Sequence, residues 1–85
     1  MAVRSYLKPV MVNQTYERLL AADPNEAVSM DRLAEALALA GIKNPRTKKA
    51  PTRQGVHYIL SHKHNSVGQR LLQQNAKRLS LDIRE

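Results

Sequence analysis

The chain of 85 residues carries 14 lysines and arginines against seven aspartates and glutamates, which gives a formal net charge of +7, and it has no cysteine. This length predicts one small domain with too little core for a deep catalytic pocket, and the absence of cysteine excludes a disulfide framework and thiolate metal sites. The excess of positive charge favours a polyanionic partner, most often nucleic acid.

The positive charge is unevenly placed along the chain. Residues 1–35 carry four basic and five acidic side chains, whereas residues 36–81 carry nine basic side chains and no acidic one. Because the cations of the second stretch have no acidic neighbour in sequence, we expect them to form a surface for a negatively charged polymer. The alternative interpretation is an ordinary solvated basic face.

Neither a secretory leader nor a membrane-spanning stretch is recognised. The first ten residues lack the apolar run of a signal peptide, and the longest uncharged apolar stretch, residues 37–42, is too short to cross a bilayer. Together with the lack of cysteine, these features predict a cytoplasmic protein without a membrane partner.

Four helices are predicted, within an all-α domain of residues 1–85, and the first two have clear boundaries. The first opens at Pro9 and ends near Ala22. Its apolar face consists of Val12, Tyr16, Leu19 and Leu20. The second is capped by Ser29 and terminated by Gly41. Its inward positions are Met30, Leu33, Ala34 and Leu37.

A basic loop separates these helices from the other two. Residues 42–51 hold two prolines and four cations. Thr52 is expected to cap a third helix that turns Val56, Ile59 and Leu60 inward. Ser66 is expected to cap a fourth helix, over about residues 66–82, whose apolar stripe contains Val67, Leu71, Leu72, Leu79 and Ile83. This stripe either closes the core of the monomer or pairs with a second copy of the chain.

The central third of the chain resembles the helix-turn-helix module that follows the catalytic domain of large serine recombinases. The likeness consists of a capping serine, an apolar-alanine pair, a Gly-Ile pair, a Pro-Arg pair in a basic turn, and a helix with a valine and an Ile-Leu pair. These positions are Ser29, Leu33, Ala34, Leu37, Gly41, Ile42, Pro45, Arg46, Val56, Ile59 and Leu60. The tryptophan usual in that family near Ala50 is missing. The resemblance implies a helix-turn-helix over about residues 29–61 that binds DNA without cleaving it.

In such a module the third predicted helix enters the major groove of duplex DNA. Arg53, Gln54 and His57 lie on its outward side and are the predicted base contacts, because a guanidinium suits guanine and a glutamine amide suits adenine. The predicted phosphate contacts are Lys43, Arg46, Lys48, Lys49, Tyr58 and Lys63. The alternative is that these are ordinary exposed residues of a helix and a solvated loop.

No catalytic or metal centre and no cofactor are predicted. His57, His62 and His64 are the only histidines, and no carboxylate occurs between Glu35 and Asp82. The nearby cations would oppose a divalent ion, so we interpret the histidines as surface or phosphate-facing groups. Three tyrosines are the only aromatic residues. They offer few stacking platforms for single strands, which favours duplex DNA over RNA.

The sequence therefore predicts a sequence-specific binder of double-stranded DNA, a small transcriptional or mobile-element accessory regulator that acts by occupying its site and is not an enzyme. The main alternative is a protein-interaction module, an inhibitor or adaptor that docks an acidic partner protein through its basic face. A third interpretation is non-specific packaging of DNA or RNA. Pairing into a homodimer through the last helix stays open.

Overall fold

A computed structural model describes residues 7–45 and 47–83, with side chains up to residue 79. The described chain forms four α-helices and no strand, which confirms the predicted all-helical class. The helices are α1 (Pro9–Ala22), α2 (Met30–Leu39), α3 (Arg53–Ser61) and α4 (Ser66–Ile83).

Side-chain caps fix where α2 and α3 begin, as the sequence predicts. Ser29 Oγ accepts a hydrogen bond from the Arg32 N–H at 3.1 Å, and Thr52 Oγ1 accepts one from the Gly55 N–H at 3.1 Å. Such bonds satisfy donors that have no partner within the first turn of a helix. Gly41 follows α2 with a φ of 81°, a left-handed conformation that glycine adopts without steric cost.

The start of α4 differs from the prediction, because Asn65 rather than Ser66 is the cap. The Asn65 side-chain oxygen accepts from the Gly68 N–H at 3.0 Å. The same side chain exchanges two hydrogen bonds with the amide of Asn13 in α1, at 2.8 and 3.0 Å, and donates to the Ile59 carbonyl of α3 at 2.9 Å. Asn65 therefore caps the start of α4 and joins this helix to α1 and α3.

The core is apolar, and both α1 and α3 contact each of the other three helices. The buried apolar residues are Leu7, Val12, Tyr16, Leu20, Val28, Leu33, Ala34, Leu37, Ile42, Val56, Leu60 and Leu71. Leu19, Met30 and Ile59 are partly buried against this cluster. The predicted inward faces of α1, α2 and α3 are thus confirmed.

The inward face of α4 is more polar than predicted. Leu71 is buried and Leu72 is partly buried, but Val67 and Leu79 are 37% and 49% exposed. The side chain of Ile83 lies outside the described residues. Val67 and Leu79 therefore do not close the core of the monomer, which is one of the two roles predicted for the stripe, and α4 is held by other contacts.

Two polar side chains of α4 supply those contacts. Asn75 is 5% exposed, and its amide both donates to the Val28 carbonyl and accepts from the Val28 N–H, each at 2.8 Å. Arg78 Nη1 donates to three carbonyl oxygens at 2.8, 2.9 and 3.0 Å, those of Leu20, Asp23 and Glu26. Carbonyls at the end of a helix lack intrahelical donors and carry partial negative charge, so a guanidinium satisfies them well.

Gly68 lies where α4 passes close to α3. A Cβ atom at this position would be 2.7 Å from the Leu60 carbonyl oxygen and would also clash with the Asn65 side chain. Gly68→Ala should therefore lower the free energy of unfolding by about 1–3 kcal/mol, although alanine normally stabilises a helix relative to glycine by about 1 kcal/mol. Urea unfolding followed by circular dichroism measures the change. Gly55→Ala, where the nearest atom is the Thr52 hydroxyl oxygen at 3.3 Å, is the control, and an equal or larger loss there would contradict this account.

The Tyr16 hydroxyl is buried without a hydrogen-bond partner. Burial raises the pKa of Tyr16 to about 12. The Arg78 guanidinium and the Asn75 amide act in the opposite direction, but burial outweighs them. The Asn75 amide pairs with the backbone of Val28. The neutral phenol is thus favoured in the folded state.

Because the pKa of Tyr16 rises on folding from 10 to about 12, its contribution to stability is fully present below pH 10 and is lost as the pH rises through 12. Tyr16→Phe should remove this alkaline loss. At neutral pH it should change the free energy of unfolding by less than about 1 kcal/mol, since no hydrogen bond is broken. The measurement is the urea midpoint of both proteins between neutral and alkaline pH. If the urea midpoints of the two proteins fell in parallel at alkaline pH, the role given to Tyr16 would be refuted.

Candidate nucleic-acid interface

The α3 helix has one buried side and one exposed side. Val56 and Leu60 are fully buried, whereas Arg53, Gln54 and His57 are exposed. These three residues also line one shallow surface depression, together with Met30 of α2. The structure therefore brings the three predicted base-contacting residues together on the solvent side of one helix.

Arg53 has an acidic neighbour that sequence reasoning missed. Its Nη1 atom lies 4.0 Å from Oδ2 of Asp31, and the two side chains are 67% and 74% exposed. Asp31 occupies the first turn of α2, where the helix dipole favours a carboxylate. An ion pair this exposed is screened by water and contributes little stability, so the guanidinium is able to exchange Asp31 for another anion.

The loop that leads into α3 is closed by its own backbone. The Asn44 N–H donates to the Lys49 carbonyl and the Lys48 N–H donates to the Asn44 carbonyl, both at 2.8 Å. Lys48 adopts a φ of 62°, a left-handed conformation that is uncommon for residues other than glycine. At the start of the loop, the Lys43 carbonyl accepts a hydrogen bond from the Leu7 N–H at 2.9 Å. These bonds define the path of the loop that carries the lysines.

Five of the six predicted phosphate contacts have exposed side chains, and the sixth, Arg46, lies outside the described residues. The five are Lys43, Lys48, Lys49, Tyr58 and Lys63. The first three precede α3, Tyr58 lies on α3 with 68% of its surface exposed, and Lys63 follows in the turn to α4. The loop lysines and the start of α3 thus carry a run of exposed cations.

The remaining cations of the acid-free stretch are placed differently. Arg78 is partly buried against the carbonyls at the end of α1, where it has a structural role. Arg70 and Lys77 are exposed on α4, and Arg70 lines a groove together with Glu17 of α1. The eight described basic residues of this stretch therefore do not form one set: five precede, begin or follow α3, two lie exposed on α4, and Arg78 stabilises the fold.

Two of the three histidines lie together in the turn between α3 and α4. The ring centroids of His62 and His64 are 5.3 Å apart, and the His64 N–H donates to His62 Nδ1 at 3.2 Å. The Tyr58 ring meets the His62 ring edge-on, with centroids 6.0 Å apart. Within the described residues, no three histidine or carboxylate side chains form a group suited to a metal ion.

No family model, curated protein or solved structure matches this chain. The resemblance to the recombinase module and its role in DNA binding therefore stay predictions from the residues. Across the described ranges, no helix has both the length and the apolar character needed to cross a membrane.

Variants of Arg78 and of its neighbour Lys77 compare a cation bonded to the backbone with one exposed to solvent. Arg78→Ala removes three hydrogen bonds to backbone carbonyls, two of them part-buried, and should lower the free energy of unfolding by about 1–3 kcal/mol. Lys77→Ala removes the same charge from an exposed position and should change it by less than about 0.5 kcal/mol. Urea unfolding of both variants gives the comparison. Equal losses would mean that net charge, and not the three hydrogen bonds, sets the stability.

Proposed function

We propose that the protein binds double-stranded DNA sequence-specifically, with α3 in the major groove, and acts by occupying its site as a small transcriptional or mobile-element accessory regulator. The observation that carries this proposal is the exposed polar side of α3, with Arg53, Gln54 and His57 directly after a loop with three exposed lysines. Residues 36–81 contain no acidic side chain that would repel the phosphates.

The dimensions of α3 suit this role. A helix is about 10–12 Å across with its side chains, and the major groove of B-form DNA is about 12 Å wide. Although α3 contacts all three other helices, Arg53, Gln54 and His57 stay exposed, so this part of its surface is available to base edges. The preceding helix α2 packs against α3, which is the arrangement expected if the pair acts as a helix-turn-helix.

Each type of side chain has a task in this proposal. Arg53 pairs with guanine and Gln54 with adenine, and each such bidentate pair discriminates against a wrong base by about 1–3 kcal/mol. His57, one turn of helix further on, contacts a neighbouring base. Lys43, Arg46, Lys48, Lys49, Tyr58 and Lys63 contact phosphates and fix the register of the protein on the duplex.

A homodimer would let two copies of α3 read two half-sites of a symmetric operator. The exposed apolar residues Val67 and Leu79 on α4 support pairing through that helix. Two-fold pairing of α4 would place each apolar residue against the partner copy of the same surface.

The decisive experiment first selects bound sequences from random duplexes and then measures their affinity by fluorescence anisotropy at several salt concentrations. For about five contacted phosphates, the slope of log K against log salt should be near −4.5. Arg53→Ala should relax base preference at one position of the site, whereas Lys48→Ala combined with Lys49→Ala should weaken all sequences alike and reduce the slope by about 2.

Arg70→Ala combined with Lys77→Ala is the matched control, since it removes the same charge from exposed positions on α4. It should weaken binding less than the loop pair does. Failure to bind any duplex at low salt would refute the proposed function. Equal losses from the two double variants would refute the role given to the loop.

A further inference from the structure

A groove lies at the opposite end of α3 from Arg53. The start of α1 and the last turn of α3 enclose a volume of about 530 Å³ that is open to solvent. Pro9, Val10, Tyr58 and Ile59 supply its apolar walls. Asn13 and the histidines of the rim, His62 and His64, line it as well, beside the buried Asn65.

The apolar walls are unusually exposed. Val10 and Tyr58 are 63% and 68% exposed, although each is large enough to be buried with a gain of about 1.5–3 kcal/mol. A clustered apolar surface of this kind, rimmed by polar groups, is typical of an interaction site. Contacts with phosphates are polar, so a DNA backbone would leave the apolar surfaces of Val10 and Ile59 uncovered even where the Tyr58 hydroxyl meets a phosphate.

Asn13 gives the groove one polar group for a backbone. Its amide exchanges two hydrogen bonds with Asn65, which use one of the two amide N–H groups of Asn13. The Asn65 amide is occupied further by the Ile59 carbonyl and the Gly68 N–H. Asn65 is therefore structural, whereas Asn13 retains an N–H donor for the carbonyl of a bound segment.

None of the residues that line the groove is acidic, and two exposed lysines adjoin its rim in sequence. Lys8 directly precedes Pro9, and Lys63 lies between the two histidines of the rim; both lysine side chains are exposed. The α3 helix has no acidic residue, and the first one in α1 is Glu17, two helical turns beyond Val10. Because opposite charges steer association, the partner that this rim favours is acidic.

We propose that this groove binds an acidic peptide segment of a partner protein. One aromatic or aliphatic side chain of the peptide lies between Val10, Tyr58 and Ile59, and its flanking carboxylates face Lys8 and Lys63. A peptide suits the site better than a small molecule, because small-molecule pockets bury about 70–90% of their ligand and this groove is open.

The groove also continues toward the proposed DNA surface. Tyr58 and Ile59 line a second groove of about 550 Å³, in which Gln54 takes part. A peptide that extends past Tyr58 covers Gln54, so peptide and duplex should exclude each other. This exclusion rests on the proposed function, whereas peptide binding itself does not.

The test uses the full chain as bait in a selection from a random peptide library. The enriched peptides are synthesised with a fluorescent label, and their affinities are measured by anisotropy. We expect enriched sequences with an aromatic or aliphatic residue flanked by aspartate or glutamate. Peptides without that pattern, or no enrichment at all, would overturn the proposal.

Two variants at Val10 and one control at Leu39 locate the binding. Val10→Glu puts a carboxylate into the groove and should weaken peptide affinity about tenfold or more, since it removes an apolar contact and repels the acidic ligand. Leu39→Glu makes the same charge change at a leucine that is 82% exposed at the end of α2 and should stay within about twofold. Val10→Ser, which keeps the net charge, should weaken binding as well. Peptides that bind all the variants equally would refute the groove as their site.

A competition with unlabelled duplex separates the two proposals. Displacement of the labelled peptide by the selected duplex is the expected result. Peptide binding at Val10 that persists at saturating duplex refutes mutual exclusion. A protein that binds the peptide and no duplex refutes the proposed DNA function and retains the peptide site.

Discussion

Asn65 joins three of the four helices, and the position of α3 depends on it. Its side chain caps α4 through the Gly68 N–H, pairs with Asn13 of α1 and donates to the Ile59 carbonyl near the end of α3. All the hydrogen-bonding groups of this nearly buried amide are used, so burying it carries little free-energy penalty. A different packing of the three helices would leave some of these groups unpaired. With its last turn fixed in this way, α3 buries Val56 and exposes its polar side.

Buried polar contacts also hold α4 in place, because a chain of this size has few apolar residues available for a further helix interface. Asn75 pairs with both backbone groups of Val28, and Arg78 satisfies carbonyls at the end of α1. Polar contacts of this kind specify one geometry because a shifted helix would leave buried groups unpaired. Because Arg78 donates to these carbonyls, its charge supports the fold and does not contribute to a surface for a polyanion.

The predictable part of the fold is the part that local chemistry decides. The capping hydroxyls of Ser29 and Thr52 act within one turn, and the left-handed φ of Gly41 depends on its lack of a Cβ, so each is recognisable in sequence. The apolar periods of the first three helices are equally local. The same helical period predicts the exposure of Gln54 and His57.

What the sequence could not reveal involves partners that are distant along the chain. Ser66 and Asn65 are both good capping residues, and only the contact with Asn13 shows why Asn65 is used. The apolar period of α4 does not reveal that Asn75 and Arg78 make its long-range contacts, so it could not decide which stripe residues close the core. The ion pair of Arg53 with Asp31 and the groove between α1 and α3 likewise exist only once the helices are packed.

These features support the central proposal about function, namely that duplex DNA contacts the start of α3 and the loop before it. The most direct measurement is an NMR titration of the isotope-labelled protein with its selected duplex, in which backbone amide shifts are followed residue by residue. The account predicts the largest shifts over residues 43–58 and small ones at Arg70 and Lys77. Large shifts along α4 with residues 43–58 unchanged would contradict it.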